Sequence, residues 1–143
     1  MHFVMANVER QIVVAVDDDR RVRESMESLI ESAGYTSVMF SSGEEFLRSG
    51  SLAAASCVIT DVRMPGMDGI EVQRRIKLER PKLPVIFVSG RYNAATRERA
   101  LNEGAFEFLH KPFDAVGLLE VLQAALTHTR ELGNAFRAKS SKE

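Results

Sequence analysis

Cys57-Val58-Ile59-Thr60-Asp61 sets a short apolar run, rich in β-branched side chains, immediately before a carboxylate. Runs of the same kind occur at Ile12–Val16, Val85–Val88 and Phe106–Leu109, with a weaker one at Thr36–Phe40. Near-continuous apolar character over so few residues fits strands buried on both faces, as in a parallel sheet. The intervening segments carry helical periodicity. Val22, Met26, Leu29, Ile30 and Ala33 recur at helical spacing, and Gly34 follows as a left-handed stop. Ser42-Gly43-Glu44-Glu45 has capping-box spacing ahead of Phe46 and Leu47. Ile70–Arg80 carries Ile70, Val72, Ile76 and Leu78 and ends before Pro81, and Ala94–Asn102 precedes a second terminator, Gly104. Asp114 can cap a last helix expected to turn Val116, Leu119, Leu122, Ala125 and Leu126 inward.

Strand followed by helix, five times over, predicts an α/β fold: a parallel sheet covered by helices on both faces through right-handed crossovers. The 143 residues suit a single domain. A chain of this size buries about 68–70% of the surface its unfolded form exposes, so it needs no metal or disulfide staple to fold. With 19 basic against 20 acidic side chains the net charge is −1, which excludes the simplest nucleic-acid-binding reading. The single cysteine, Cys57, makes no internal disulfide and builds no structural zinc site by itself; it reads as a buried small hydrophobe. No apolar run approaches the ~20 residues of a membrane span. Met1-His2-Phe3-Val4-Met5 lacks the basic region and long apolar stretch of a signal peptide. The expectation is a soluble, cytoplasmic protein without membrane contact. The polar, patternless tail Arg137–Glu143 is expected to be frayed.

In an open parallel sheet, ligands bind beyond the carboxyl ends of the strands, near the point where strand order reverses. Asp17-Asp18-Asp19 follows the first predicted strand, Asp61 the third, Ser89 the fourth and Lys111-Pro112 the fifth; the second ends blandly in Ser41-Ser42-Gly43. Each alone has a plain structural reading, since acidic residues cap helices. Their joint placement at one rim points to a site. Asp17, Asp18 and Asp61 would bring three carboxylates together, and their repulsion resists simultaneous ionisation. A hard divalent cation such as Mg²⁺ (or Mn²⁺) relieves it, taking a few carboxylates plus phosphate oxygens as ligands. Lys111 supplies positive charge for a phosphoryl group, and the Ser89 hydroxyl can donate to one of its oxygens. Carboxylate, metal, ammonium and hydroxyl are the components of phosphoryl transfer onto an aspartate. There is no Gly-rich P-loop and no GxGxxG, so a nucleotide is not the expected ligand.

Four motifs in order carry a family likeness: Val16-Asp17-Asp18-Asp19, Asp61-Val62-Arg63-Met64-Pro65-Gly66-Met67-Asp68-Gly69, Phe87-Val88-Ser89-Gly90 and Phe108-Leu109-His110-Lys111-Pro112-Phe113. Over roughly residues 10 to 128 the chain resembles the receiver domain of two-component response regulators. The resemblance implies a flavodoxin-like (βα)5 doubly wound sheet of strand order 2-1-3-4-5, with residues 1–9 as an N-terminal extension and 129–143 as a helical extension and tail. It implies that Asp61 is the phosphoacceptor, taking its phosphoryl group from a sensor histidine kinase. Asp18 and Asp61 would ligate Mg²⁺ directly, with the backbone carbonyl of Arg63, while Asp17 would act mainly through a metal-bound water. Ser89 would be the switch hydroxyl, Lys111 the phosphate-sensing ammonium behind a cis Lys111–Pro112 bond, and Phe108 the rotating aromatic. Asp19 reads as a cap of the first helix, Asp68-Gly69 as a structural turn and His110 as a surface residue. By the same resemblance, Arg63 and Arg91 would flank the path of the hydrolytic water.

The wording Asp61-Val62-Arg63-Met64-Pro65-Gly66 and Leu83-Pro84-Val85-Ile86-Phe87 is similar to receivers of nitrogen-fixation type, which precede a LuxR-type helix-turn-helix output. Two other readings compete. A metal-dependent aspartyl phosphatase of the haloacid-dehalogenase pattern would want a second Asp two places after the nucleophile, where this chain has Arg63. A pseudo-receiver would only bind a partner, yet every acceptor-site residue is present. The last helix continues through Thr127-His128-Thr129-Arg130 toward Phe136, which suits either a linker to a DNA-binding domain or a support for homodimerisation through the face of the fourth helix, fifth strand and fifth helix.

Overall fold

The computed structural model describes residues 11–90 and 93–141; the extension expected at 1–9, Arg91 and residues 142–143 lie outside the described residues. Five strands, β1 (Ile12–Val16), β2 (Thr36–Phe40), β3 (Cys57–Thr60), β4 (Val85–Ser89) and β5 (Glu107–His110), form one parallel sheet of order β2-β1-β3-β4-β5. The helices are α1 (Arg20–Ser32), α2 (Gly43–Arg48), α3 (Gly69–Glu79), α4 (Ala94–Asn102) and α5 (Ala115–Ser141), with a 3₁₀ turn at Ser51–Ala54. This is the flavodoxin-like (βα)5 arrangement expected from the sequence.

Because successive strand residues face opposite ways, β1 feeds two cores. Val14 and Val16 pack with Val58, Val85, Phe87 and Phe108 beneath Phe46, Ile70, Val72 and Ile76, on the face that carries α2 and α3. Val13 and Ala15 pack with Cys57, Ile59, Ile86 and Val88 against Met26 and Ile30 of α1 and Leu118, Leu122, Ala125 and Leu126 of α5. Strand order reverses between β1 and β3. Their register sets Val16 beside Thr60, and the Asp61 amide donates to the Val16 carbonyl at 3.1 Å. The residues that follow each strand, Asp17 and Asp61, therefore leave the sheet side by side.

Several sequence-based expectations shift. Phe106 precedes β5, is 37% exposed and sets its ring 6.2 Å from that of His128, whereas β5 itself begins at Glu107. As an edge strand paired only with β4, β5 buries fully just one side chain, Phe108. Val116 (62% exposed) and Leu78 (82%) face solvent rather than the core. Each lies two positions from a buried neighbour, Leu118 or Ile76, which is about 200° around a helix of 3.6 residues per turn. Ala33 is the exposed C-cap of α1 instead of a member of its apolar stripe. The helical backbone of α5 continues to Ser141 through the segment expected to fray. Ala135, Arg137, Ala138 and Lys139 are strong helix formers, and no proline interrupts them. Among the described residues, no helix is long and apolar enough to cross a membrane.

Candidate functional site

Asp17 is wholly buried at the end of β1. Its Oδ1 accepts from the Asp19 amide at 2.9 Å, and its backbone carbonyl accepts from the Arg23 guanidinium at 2.7 Å. Asp61, 8% exposed, accepts from the Val62 amide on Oδ1 at 2.7 Å. Both acids turn their Oδ2 atoms toward one ammonium: Lys111 Nζ donates to Asp17 at 2.8 Å and to Asp61 at 3.0 Å. Asp18 is exposed, yet one carboxylate oxygen from each of Asp17, Asp18 and Asp61 lies within 4.8 Å of the others. Ser89 ends β4, buried, and its carbonyl accepts from the Lys111 amide at 2.6 Å. The Lys111–Pro112 peptide is cis. The geometry thus assembles Asp17, Asp18, Asp61, Ser89 and Lys111 from the ends of four strands.

Electrostatics follow from that packing. Burial raises the Asp17 carboxyl above its ordinary value of 3.8, against the opposing hydrogen bonds from Lys111 and the Asp19 amide. Burial would lower the Lys111 ammonium, but its hydrogen bonds to Asp17 and Asp61, with their charges, outweigh it and hold the group above its ordinary 10.5. Cys57, enclosed in β3, is pushed up to about 12 by burial and is chemically inert as a thiolate source. The donor set of the three acids is entirely carboxylate oxygen, the ligand type that hard divalent cations such as Mg²⁺ and Mn²⁺ prefer.

The neighbouring residues divide by role. Asp19 caps α1, accepting from the Arg21 amide, and Asp68 caps α3, accepting from the Glu71 amide. Gly69 is required by close approach, since a Cβ there would collide with the Asp61 carbonyl oxygen. Phe108 is buried and stacks on Phe87 with ring centroids 5.9 Å apart. Arg63 is exposed and lines a shallow groove of about 590 Å³ with Met64, Pro65, Thr96 and Arg99. His110 is exposed. Sequence reasoning missed Arg23, whose grip on the Asp17 carbonyl was signalled only by a cation one helical turn beyond the Asp19 cap. It also missed the buried amide of Gln73, which donates to the Ala100 carbonyl at 3.2 Å and ties α3 to α4.

Residues 13–123 match the family model described as "Response regulator receiver domain". The chain belongs to this receiver-domain family of two-component response regulators. It is 38% identical over 133 residues to the response regulator protein TodT of Pseudomonas putida, covering 92% of this chain and 59% of TodT. It is 33% identical over 114 residues to the transcriptional regulatory protein FixJ of Bradyrhizobium diazoefficiens, covering 80% of this chain and 56% of FixJ. Among solved structures, that of the response regulator StyR superposes with a TM-score of 0.84 at 32% identity, over 93% of this chain and 67% of StyR. The chain therefore spans little more than half the length of TodT and of FixJ.

Proposed function

We propose that this receiver takes a phosphoryl group on Asp61 from the phosphohistidine of a sensor histidine kinase and thereby switches a protein-interaction surface. The observation that carries this reading is the Lys111 ammonium held at hydrogen-bond distance from both Asp17 and Asp61. In the transfer, an Asp61 carboxylate oxygen attacks phosphorus, a P–O bond forms, and the P–N bond to the donor imidazole breaks with its electrons leaving on nitrogen. Lys111 neutralises charge on the phosphoryl oxygens, and the Ser89 hydroxyl donates to one of them. Asp17, Asp18 and Asp61, with the Arg63 backbone carbonyl, are the residues that would hold Mg²⁺ or Mn²⁺. The cation would supply the positive charge that lets acidic groups and phosphate oxygens share one site. The domain would promote its own Mg²⁺-dependent phosphorylation and dephosphorylation.

Residues 10–128 form the receiver unit and 129–143 an extension, with Ser89 and Phe108 coupling the acceptor to the α4–β5–α5 face, where a second copy would dock. We read the receiver as one of nitrogen-fixation type that precedes a LuxR-type output, from the wording of Asp61–Gly66 and Leu83–Phe87. Contact with DNA would fall to an output domain beyond this chain, and the setting is cytoplasmic. Incubation with acetyl phosphate and Mg²⁺, followed by intact-mass measurement, tests the acceptor. One phosphoryl group on the wild type and none on Asp61→Asn is expected; equal labelling of both proteins overturns the assignment.

A further inference from the structure

Glu44 stands outside the carboxylate cluster but touches the chain that leads away from it. It lies in the first turn of α2, behind the Ser42 cap. Its Oε2 accepts a hydrogen bond from the Met67 backbone amide at 3.0 Å, across 23 residues of sequence. Gly66, with φ of +78°, presses against the same oxygen: a Cβ at that position would come within 2.5 Å of it. Hydrogen bonds from its own backbone amide and that of Met67 hold the Glu44 carboxyl below its ordinary value, so it is ionised at neutral pH.

The segment it grips joins Asp61 to α3. Near its ends, the Val62 amide donates to Asp61 Oδ1 at 2.7 Å and the Gly69 amide donates to the Val62 carbonyl at 2.8 Å. Glu44 ties the stretch between. Arg63, whose backbone carbonyl faces the same chemistry in the reading above, lies within that stretch. A loop that must be ordered when a ligand arrives weakens binding by the entropy lost, and a loop ordered beforehand does not.

We propose that Glu44 is a positioning residue for the cation and phosphoryl site, its carboxylate fixing the 62–68 segment on α2 so that the Arg63 backbone is set before a divalent cation joins Asp17, Asp18 and Asp61. This rests on the phosphoacceptor reading given under Proposed function. The opposing account makes Glu44 a local support of α2 alone. Glu44→Gln keeps an oxygen acceptor for the Met67 amide and Glu44→Ala removes it, while the Ser42 cap survives in both.

The full chain is titrated with MgCl₂ while the amide signals of Val62, Arg63, Met64, Gly66 and Met67 are followed by NMR, with hydrogen exchange at the Met67 amide and thermal unfolding measured in EDTA. Glu44→Ala is expected to need about tenfold more Mg²⁺, the size of effect typical for groups that orient metal ligands from outside. It should also lose protection at the Met67 amide, and Glu44→Gln should recover most of both. A Mg²⁺ midpoint for Glu44→Ala equal to that of wild type overturns the proposal. So does a change that Glu44→Gln shares and that tracks the unfolding temperature in both. Acetyl phosphate labelling separates the two readings: an unlabelled wild type with the midpoint shift intact refutes the acceptor and sustains the positioning role, whereas a labelled wild type without the shift refutes the positioning role alone.

Discussion

Lys111 Nζ lies 3.0 Å from Asp61 Oδ2 although 50 residues separate them, and the same ammonium reaches the wholly buried Asp17. One cation thus neutralises two acids that the sheet forces together. Removing one partner of a buried charged group leaves the others uncompensated. Lys111→Ala is expected to lower stability at pH 7 by about 2 kcal/mol, given the partial exposure of the site. Chemical unfolding at pH 7 and pH 4 checks it. The loss should be smaller at pH 4, where the raised Asp17 carboxyl takes up a proton and loses its charge, and an equal loss at both values counts against the electrostatic account.

Asp17 makes the complementary case. Burial raises its carboxyl in the folded state above 3.8, so the folded chain holds that proton more tightly than the unfolded chain does. The associated stability is present at low pH and declines as pH rises through the folded value, because ionising the buried acid costs more than ionising it in water. Asp17→Asn removes that cost. In metal-free buffer at pH 7 it should gain about 1 kcal/mol, or about 3 °C in Tm for a domain of this size. The gain should shrink toward pH 4, and Mg²⁺ should stabilise the variant less than wild type. A variant less stable than wild type in EDTA at pH 7 would show that the Lys111 pairing outweighs burial.

Ser89 is buried and Phe108 stacks on Phe87; on the proposed switch, these side chains would couple Asp61 to the β5 edge. A ligand shifts only an equilibrium whose two states it binds differently. On phosphorylation, amide chemical shifts should therefore spread from Asp61 into residues 93–115, and Ser89→Ala should shrink that spread at least twofold. Changes confined to the immediate surroundings of Asp61 would refute the coupling.

Arg63 is exposed two residues after Asp61 and lines a groove with Met64, Pro65, Thr96 and Arg99. On the acceptor reading, a long side chain two places after Asp61 would obstruct an in-line water and slow hydrolysis by denying geometry. Charge stabilisation of the transition state would instead speed it, but Lys111 already supplies that charge. Arg63→Ala should shorten the phosphorylated half-life about threefold, equivalent to about 0.7 kcal/mol of barrier. Decay of phospho-Asp61 after donor removal is the measurement; an unchanged or longer half-life contradicts the obstruction.

Gly69 tests the packing beneath the acceptor. A Cβ at this position would meet the Asp61 carbonyl oxygen and the Phe87 ring. Gly69→Ala should cost about 1–3 kcal/mol of stability, as overpacking commonly does, and should slow labelling of Asp61 in the fraction that remains folded. Wild-type stability in this variant would mean that the turn can open without strain.

The sequence by itself determined the order of strands and helices, because buried parallel strands need apolar runs and the caps at Asp19, Ser42 and Asp114 are local chemistry. It also placed the strand ends to within one residue, since the fourth and fifth strands run on to Ser89 and His110, and that was close enough to name the members of the rim cluster. Only the tertiary structure decided who meets whom there. That Lys111 bridges Asp17 and Asp61 depends on the β1–β3 register and on the β5 edge being the fifth strand across. Periodicity alone misplaced Val116 and Leu78, because it counts apolar residues without knowing which side of a helix the sheet will cover. The grip of Arg23 on Asp17 and of Glu44 on Met67 left little or no trace in the sequence: each joins a side chain to a backbone group of another segment, and every residue carries the same backbone.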